Sequence, residues 1–200
     1  MKHILFLSIS AIVFAGVLSS CKKGEDDPFL SLRSRKARIE GTWTLTSFES
    51  RQTSTSSSGT SVTTTFFDSG TETHTQTLSP TGFPATTTTD VSNYTEQFIF
   101  EKDGTYVRTH TDSDGVMTTK GTWFFLGKSK ENEIKNKEAI YLTETNTTYD
   151  GASTAYTGLV GQTLIIKQLK NKEMVLTSSS TTTGEDYSNS QESVTVLTQD

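Results

Sequence analysis

What the chain is short of narrows its class. Its single cysteine, Cys21, excludes an internal disulfide and so the small cross-linked secreted scaffolds. Of its three histidines only His74 and His110 lie beyond residue 20, and neither has a Cys, His or acid at metal-ligand spacing. No metal site is expected. Three prolines and scattered glycines exclude collagen-like and proline-rich chains. No nucleophile elbow, glycine-rich phosphate loop or Ser/His/Asp set is present, so the chain reads as no enzyme, with no catalytic residue and no cofactor. "DSDG" at 112–115 supplies only a fragment of a calcium loop and is read as a turn. The formal net charge is −5, which disfavours nucleic acid as a partner. Hydrophobic residues make up 32%, too few for a sheet buried on both faces and suited to an antiparallel sheet wetted on one.

The first twenty residues stand apart. Lys2 and His3 give a positive start, 4–18 is an uncharged and mostly apolar run, and "LSSC" follows. This is the pattern of a secretion signal, too short to span a membrane comfortably. Leu18-Ser19-Ser20-Cys21 resembles a bacterial lipobox. The resemblance implies cleavage before Cys21, lipid attachment at Cys21, and a membrane partner through that anchor. Residues 1–20 are therefore assigned to a lipoprotein signal peptide and 21–27 to a lipidated tether. In that tether Lys22 lacks the aspartate that marks inner-membrane retention. Glu25-Asp26-Asp27 resembles the surface-export signal of Bacteroidetes lipoproteins, which implies a lipid-anchored outer-membrane protein exposed at the cell surface.

Residues 28–40 read as a short helix. Asp27 can cap it, Pro28 fits its first turn and Gly41 lies just past its end. Phe29, Leu32, Lys36 and Ile39 form one stripe. Arg33, Arg35, Lys36 and Arg38 suit either contact with anionic lipid or a solvated face on a helix that plugs a barrel end.

From 41 to 200 the chain breaks into short alternating runs separated by turn signals, the pattern of an all-β fold. In "QFIFEKDGTYVRTH" a three-residue Lys102-Asp103-Gly104 loop pairs Phe100 with Tyr106 and Phe98 with Arg108. At the next turn, a two-residue Asp114-Gly115 loop sets Trp123 opposite Tyr106, whereas a three-residue loop sets Thr122 there. The first is preferred because it gathers Phe98, Phe100, Tyr106, Trp123 and Phe125 on one face. "EAIYLTETNTT" is a further strand, "QTLIIKQL" and "EMVLTSSSTTT" form a hairpin around 170–172, and "ESVTVLT" closes the chain. The Thr-rich segments at 53–67 and 71–79 are read as a long exposed hairpin turning at "FFDSG", with 79–90 a loop; a disordered Ser/Thr linker is the alternative. The sum is an antiparallel up-and-down β-barrel of about eight to ten strands, preceded by a short helix.

"GTWTL" at 41–45 and "GTWFF" at 121–125 each set Gly-Thr-Trp before an apolar run. Glycine there is expected to let the chain bend at a strand start while the indole closes the barrel. Gly41-Thr42-Trp43 resembles the G-x-W motif on the first strand of lipocalins, which implies a lipocalin-like barrel. The T-D-Y motif and a cation in the last strand are missing, so the resemblance is to a lipocalin-like lipoprotein and not a true lipocalin. Two functions follow. Phe98, Phe100, Tyr106, Trp123 and Phe125, with Arg108 for a head group, can line a site for a small hydrophobic or amphiphilic ligand. Alternatively the barrel is filled, and the protein is a structural or interaction module meeting an envelope protein or glycan.

Overall fold

The computed structural model describes residues 33–199, with backbone only at 156–160. The leader, Cys21 and the tether lie outside the described residues. A short helix, α1 (Arg35–Ile39), precedes eleven strands. They are β1 (Gly41–Ser56), β2 (Gly59–Asp68), β3 (Thr71–Pro80), β4 (Thr86–Asn93), β5 (Thr95–Phe100), β6 (Thr105–Thr111), β7 (Val116–Phe125), β8 (Ala139–Tyr149), β9 (Ala152–Leu169), β10 (Glu173–Thr183) and β11 (Tyr187–Thr198). All pairings are antiparallel. β5 to β11 follow in chain order, and β1 joins β5 to β11, closing an eight-strand barrel.

β1 has two neighbours in succession on one edge. Gly41–Thr44 pairs with β5, and Ser47–Ser56 pairs with β2, while the other edge holds β11 from Thr44 onward. β3 and β4 extend the sheet beyond β2. One side of the barrel thus continues into a leaf made of β2, β3, β4 and the distal halves of β1, β11 and β10. The long hairpin expected at "FFDSG" is β2–β3. The loop reading of 79–90 is corrected in part, since Thr86 to Asp90 lie in β4. Thr71, Thr73, Thr75 and Thr77 do share one face of β3, where Thr75 and Thr77 meet Thr89 and Thr87 at 3.2 and 3.0 Å between hydroxyls.

The barrel is closed at one end by α1. Ser34 caps the helix, its hydroxyl accepting from the Ala37 amide at 3.1 Å. An unbroken helix over 28–40 is corrected on this point, because Ser34 is extended at ψ 155° and the helix begins at Arg35. The basic run is a solvated face only in part: Arg33 and Lys36 are exposed. Arg35 and Arg38 are buried, and the Arg38 guanidinium donates to the Leu169 carbonyl at the β9–β10 turn. Burial, with Arg38 beside it, pulls the Arg35 pKa down to about 10, against a smaller opposing pull from Glu138.

Both tryptophans are buried and both find partners for the indole N–H. Trp43 donates to the Ile39 carbonyl at 2.7 Å and Trp123 to the Glu101 carbonyl at 3.1 Å. The two glycines before them act differently. Gly41 opens β1 at φ +122°, a bend that glycine alone adopts easily. Gly121 lies inside β7 and not at its start. A β-carbon there would stand 1.7 Å from the Thr143 carbonyl oxygen and 2.7 Å from the Tyr106 ring. Glycine at 121 therefore serves close approach, beside a bulge between β7 and β8. Gly121→Ala is expected to cost about 3 kcal/mol in urea unfolding. Gly127→Ala, where nothing lies within 4 Å of the added carbon, should leave the midpoint nearly unchanged.

Candidate functional site

The Phe98 hairpin forms with the register expected of it. Gly104 takes φ +93°, and Asp103 accepts from the Thr105 amide and hydroxyl at 2.9 and 2.7 Å. Phe100 pairs with Tyr106 and Phe98 with Arg108. The next turn does not follow either expected register. Thr111 pairs with Val116, so the loop is the four residues Asp112 to Gly115, and Tyr106 faces Gly121 in place of Trp123 or Thr122. The Asp112 carboxylate is the cause. It accepts from the Asp114 and Gly115 amides at 2.8 and 3.1 Å and holds a wider turn. The slip is two residues from the preferred register, and an even slip preserves facing. Trp123 therefore still points inward with Phe98, Phe100 and Tyr106.

These rings pack on one another. Phe98 and Phe100 stack at 5.9 Å, Phe100 meets Trp123 edge-on at 5.8 Å, and Trp123 meets Phe125 edge-on at 5.9 Å. Leu142, Ile166, Leu176 and Leu197 complete the same core. Burial, helped by Glu144, pushes the Tyr106 hydroxyl up to about 12, so it stays neutral. The five aromatics lie together, as the sequence suggests: Phe98, Phe100, Tyr106 and Trp123 fill the barrel centre, and Phe125 packs half-buried against them.

Arg108 sits above them, where β1 parts from β5. Its guanidinium carbon lies 5.5 Å from the Phe98 ring centroid, and its Nε donates to Glu96 on β5. Burial alone would lower its pKa, but the Glu96 carboxylate and the Tyr94 hydroxyl together outweigh that and hold it above the ordinary value. Its charge is thus met within the protein. The diagonal partner Glu96 escapes a reading of side-chain types alone, yet the hairpin register carries it: Phe98 faces Arg108, so Glu96 lies two residues away on the same face.

Around this pair is a cavity of about 170 Å³, with Glu72, Tyr94, Gln162, Gln191 and Ser193 among its polar walls and Leu45, Phe48 and Leu164 beneath. Tyr94 lies between Phe67 and His110, at 5.7 and 5.6 Å between ring centroids. Its hydroxyl is pushed well above the ordinary tyrosine range by burial and by Glu96, with Arg108 opposing. Glu72 is also raised, by burial first, with Glu96 and Asp112 adding and His74 and His110 opposing. Among the described residues no three His, Cys, Asp or Glu side chains gather to hold a metal ion, and no helix is long and apolar enough to cross a membrane.

No protein-family model matches the chain, and no curated protein matches it. A crystal structure of Rv2717c from M. tuberculosis is similar in outline over 82% of this chain and 94% of that one. The identity is 11% and the TM-score 0.31, too slight a likeness to bear on function.

Two outcomes follow from the charges in this cavity. Glu96→Gln leaves Arg108 without its counter-charge, and with Arg108 about a third open to solvent the loss should be about 2 kcal/mol in urea unfolding. Glu72 has a raised pKa in the folded state, so its carboxylate disfavours folding once the pH exceeds that value and not below the unfolded value. Glu72→Gln should therefore raise the thermal midpoint at about pH 7 and leave it unchanged near about pH 4.

Proposed function

We propose that the protein is a lipid-anchored, cell-surface lipoprotein of the Bacteroidetes type whose lipocalin-like barrel is filled. In this reading it is an interaction module of the envelope and not a carrier of amphiphiles. One observation carries it. The aromatic set that would have gripped an apolar ligand is packed against itself, and the space left beside it is about 170 Å³ with charged and amide walls. Pockets that enclose drug-sized ligands start near ~300 Å³ and are mostly apolar. Arg108, the cation that would hold an anionic head group, already has Glu96.

The lipobox supports the anchor, and the acidic residues after Cys21 support export to the surface. A tether of this kind leaves the barrel as a rigid stem. The leaf then becomes the displayed part, with hydroxyl-bearing side chains on both faces and partners among envelope proteins or glycans. Nucleic acid does not suit the acidic chain.

Full-length protein in detergent should show no saturable binding of a fluorescent fatty acid, and native mass spectrometry should find the chain with its anchor lipids and no further small molecule. Saturable binding that Arg108→Ala removes would overturn the filled-barrel reading. Labelling with a radioactive or clickable palmitate should mark the wild type and not Cys21→Ala; equal labelling would remove the anchor.

A further inference from the structure

The leaf carries a second and larger concavity, on the same face of β1 and β11 as the Arg108 cavity and beginning one same-face row beyond Gln191. It follows from strand register. Ser54 of β1 faces Asn189 of β11 on one side and Ser61 of β2 on the other, and Ser61 faces Leu78 of β3. Two residues along, Ser56 faces Tyr187 and Gly59, and Gly59 faces Pro80. Two rows thus cross four strands, each with small residues in the middle and large ones at the ends. The result is a trough of about 600 Å³, with Ser and Gly for a floor, Leu78 and Pro80 for one wall, and Tyr187 and Asn189 for the other.

The walls are fixed. The Tyr187 ring lies against Gly184, where a β-carbon would come within 2.2 Å of it, and the same turn is tied by the Gly184 amide donating to the Tyr187 carbonyl at 2.8 Å. Tyr187 is nonetheless 53% exposed. The opposite wall is tied down by Thr81, whose amide and hydroxyl donate to the Ser58 and Ser57 carbonyls at 2.9 and 3.2 Å. Asn189 is oriented as well. Its Oδ1 accepts from Gln52 at 3.3 Å and from Ser54 at 3.2 Å, which turns its Nδ2 donors away from those partners.

We infer that this trough binds a neutral oligosaccharide. Not one residue lining it is charged, so nothing there compensates an ionic ligand. It offers instead what a neutral sugar needs: an exposed aromatic face for ring C–H groups, an oriented amide, and hydroxyls that both donate and accept. An extended peptide would be held by an unpaired strand edge, but β11, β1 and β2 have neighbours on both sides and β3 is paired on both sides as far as Leu78, beyond which Pro80 has no N–H to offer. The volume suits about two or three sugar rings. The inference rests on the reading of the leaf as the displayed surface and names the partner's chemistry.

The test uses the full-length protein in detergent and five neutral trisaccharides: maltotriose, cellotriose, mannotriose, galactotriose and triacetylchitotriose. Saturation-transfer NMR should detect at least one as bound. Tyr187→Ala and Ser61→Gln, the first removing a wall and the second filling the floor, should each weaken that sugar by about tenfold or more. The near-ultraviolet signal of Trp43 and Trp123 should be unchanged in both. Should Tyr187→Ala loosen its turn, Ser61→Gln leaves that turn intact and still decides the matter. Failure of all five sugars, or equal binding by wild type and Ser61→Gln, overturns the assignment. Neither result touches the filled-barrel reading, which the fatty-acid titration decides separately.

Discussion

The double use of one edge of β1 is the constraint on which the rest of the structure depends. Up to Thr44 that edge bonds β5 and the barrel is closed; from Ser47 it bonds β2 and the barrel is open. The change falls on a bulge between Leu45 and Ser47, where the Thr46 hydroxyl donates to the Val196 carbonyl at 3.1 Å. A bulge bends its strand and increases the local twist, which is what a strand needs in order to leave one neighbour and take another. Below this point, side chains from all eight strands converge, and the interior is dry. Above it the wall diverges, and the interior becomes a polar cavity beside a leaf wetted on both faces.

That split sorts the chemistry. Each aromatic ring in the closed half contributes about 1.5–3 kcal/mol by leaving water, and the two indole N–H groups are satisfied by carbonyls at the barrel end. Arg35 and Arg38 are buried in the plug at the closed end, while on the barrel strands the buried ion pair lies where the wall parts. There Arg108 and Glu96 neutralise each other across β5 and β6, an arrangement tolerable because Arg108 keeps about a third of its side chain in solvent while Glu96 is buried beside it. Had Arg108 been one pair lower, among Phe100 and Trp123, its burial would have cost far more than a single carboxylate returns. Apart from Phe67, which roots β2 in the barrel core, the leaf has no such core. Its strands are held by backbone pairing to a β1 and β11 already fixed in the barrel, and by rows of hydroxyls such as Thr75 with Thr89. β4, at its margin, is exposed along its length with Asp90 as its one charge, and that charge is among the few features opposing pairing with a further strand.

How much of this was legible in the sequence depends on distance along the chain. The Phe98 hairpin was readable in register because Asp103 and Gly104 specify their turn locally. The β9–β10 hairpin was readable for a similar reason. The turn after β6 was misread by two residues because Asp112 acts through its side chain, which substitutes for backbone in widening a loop; the facing of Trp123 survived because strand periodicity is two. Gly121 was read as a strand start, whereas its reason is a Thr143 carbonyl brought close by a bulge no local pattern marks. The basic run before Gly41 reads as a solvated or lipid-facing surface, which holds for Arg33 and Lys36 but not for Arg35 and Arg38, because nothing nearby announces that Arg38 reaches the Leu169 carbonyl 131 residues away. Thr71, Thr73, Thr75 and Thr77 alternate clearly, but alternation without apolar residues does not say which face, if either, is covered, and the unbroken Thr86–Thr89 run of β4 reads as loop.

The trough was out of reach for a sharper version of the same reason. Its shape exists only when β11, β1, β2 and β3 are set side by side, and the β1–β11 pairing joins residues more than 130 positions apart. Seen singly, Ser54, Ser56, Gly59 and Ser61 are poor strand residues, with little side chain to pack against their neighbours. In register, each of those small residues is flanked by a large one from the next strand, so the deficit in packing is the depth of a groove. A leaf of uniform threonine would have been flat and better paired. That this one is hollowed along two consecutive rows, with an aromatic ring braced on a turn glycine at one wall, gives the weak strand residues a consistent physical account: they lower the floor between walls that backbone hydrogen bonds hold apart.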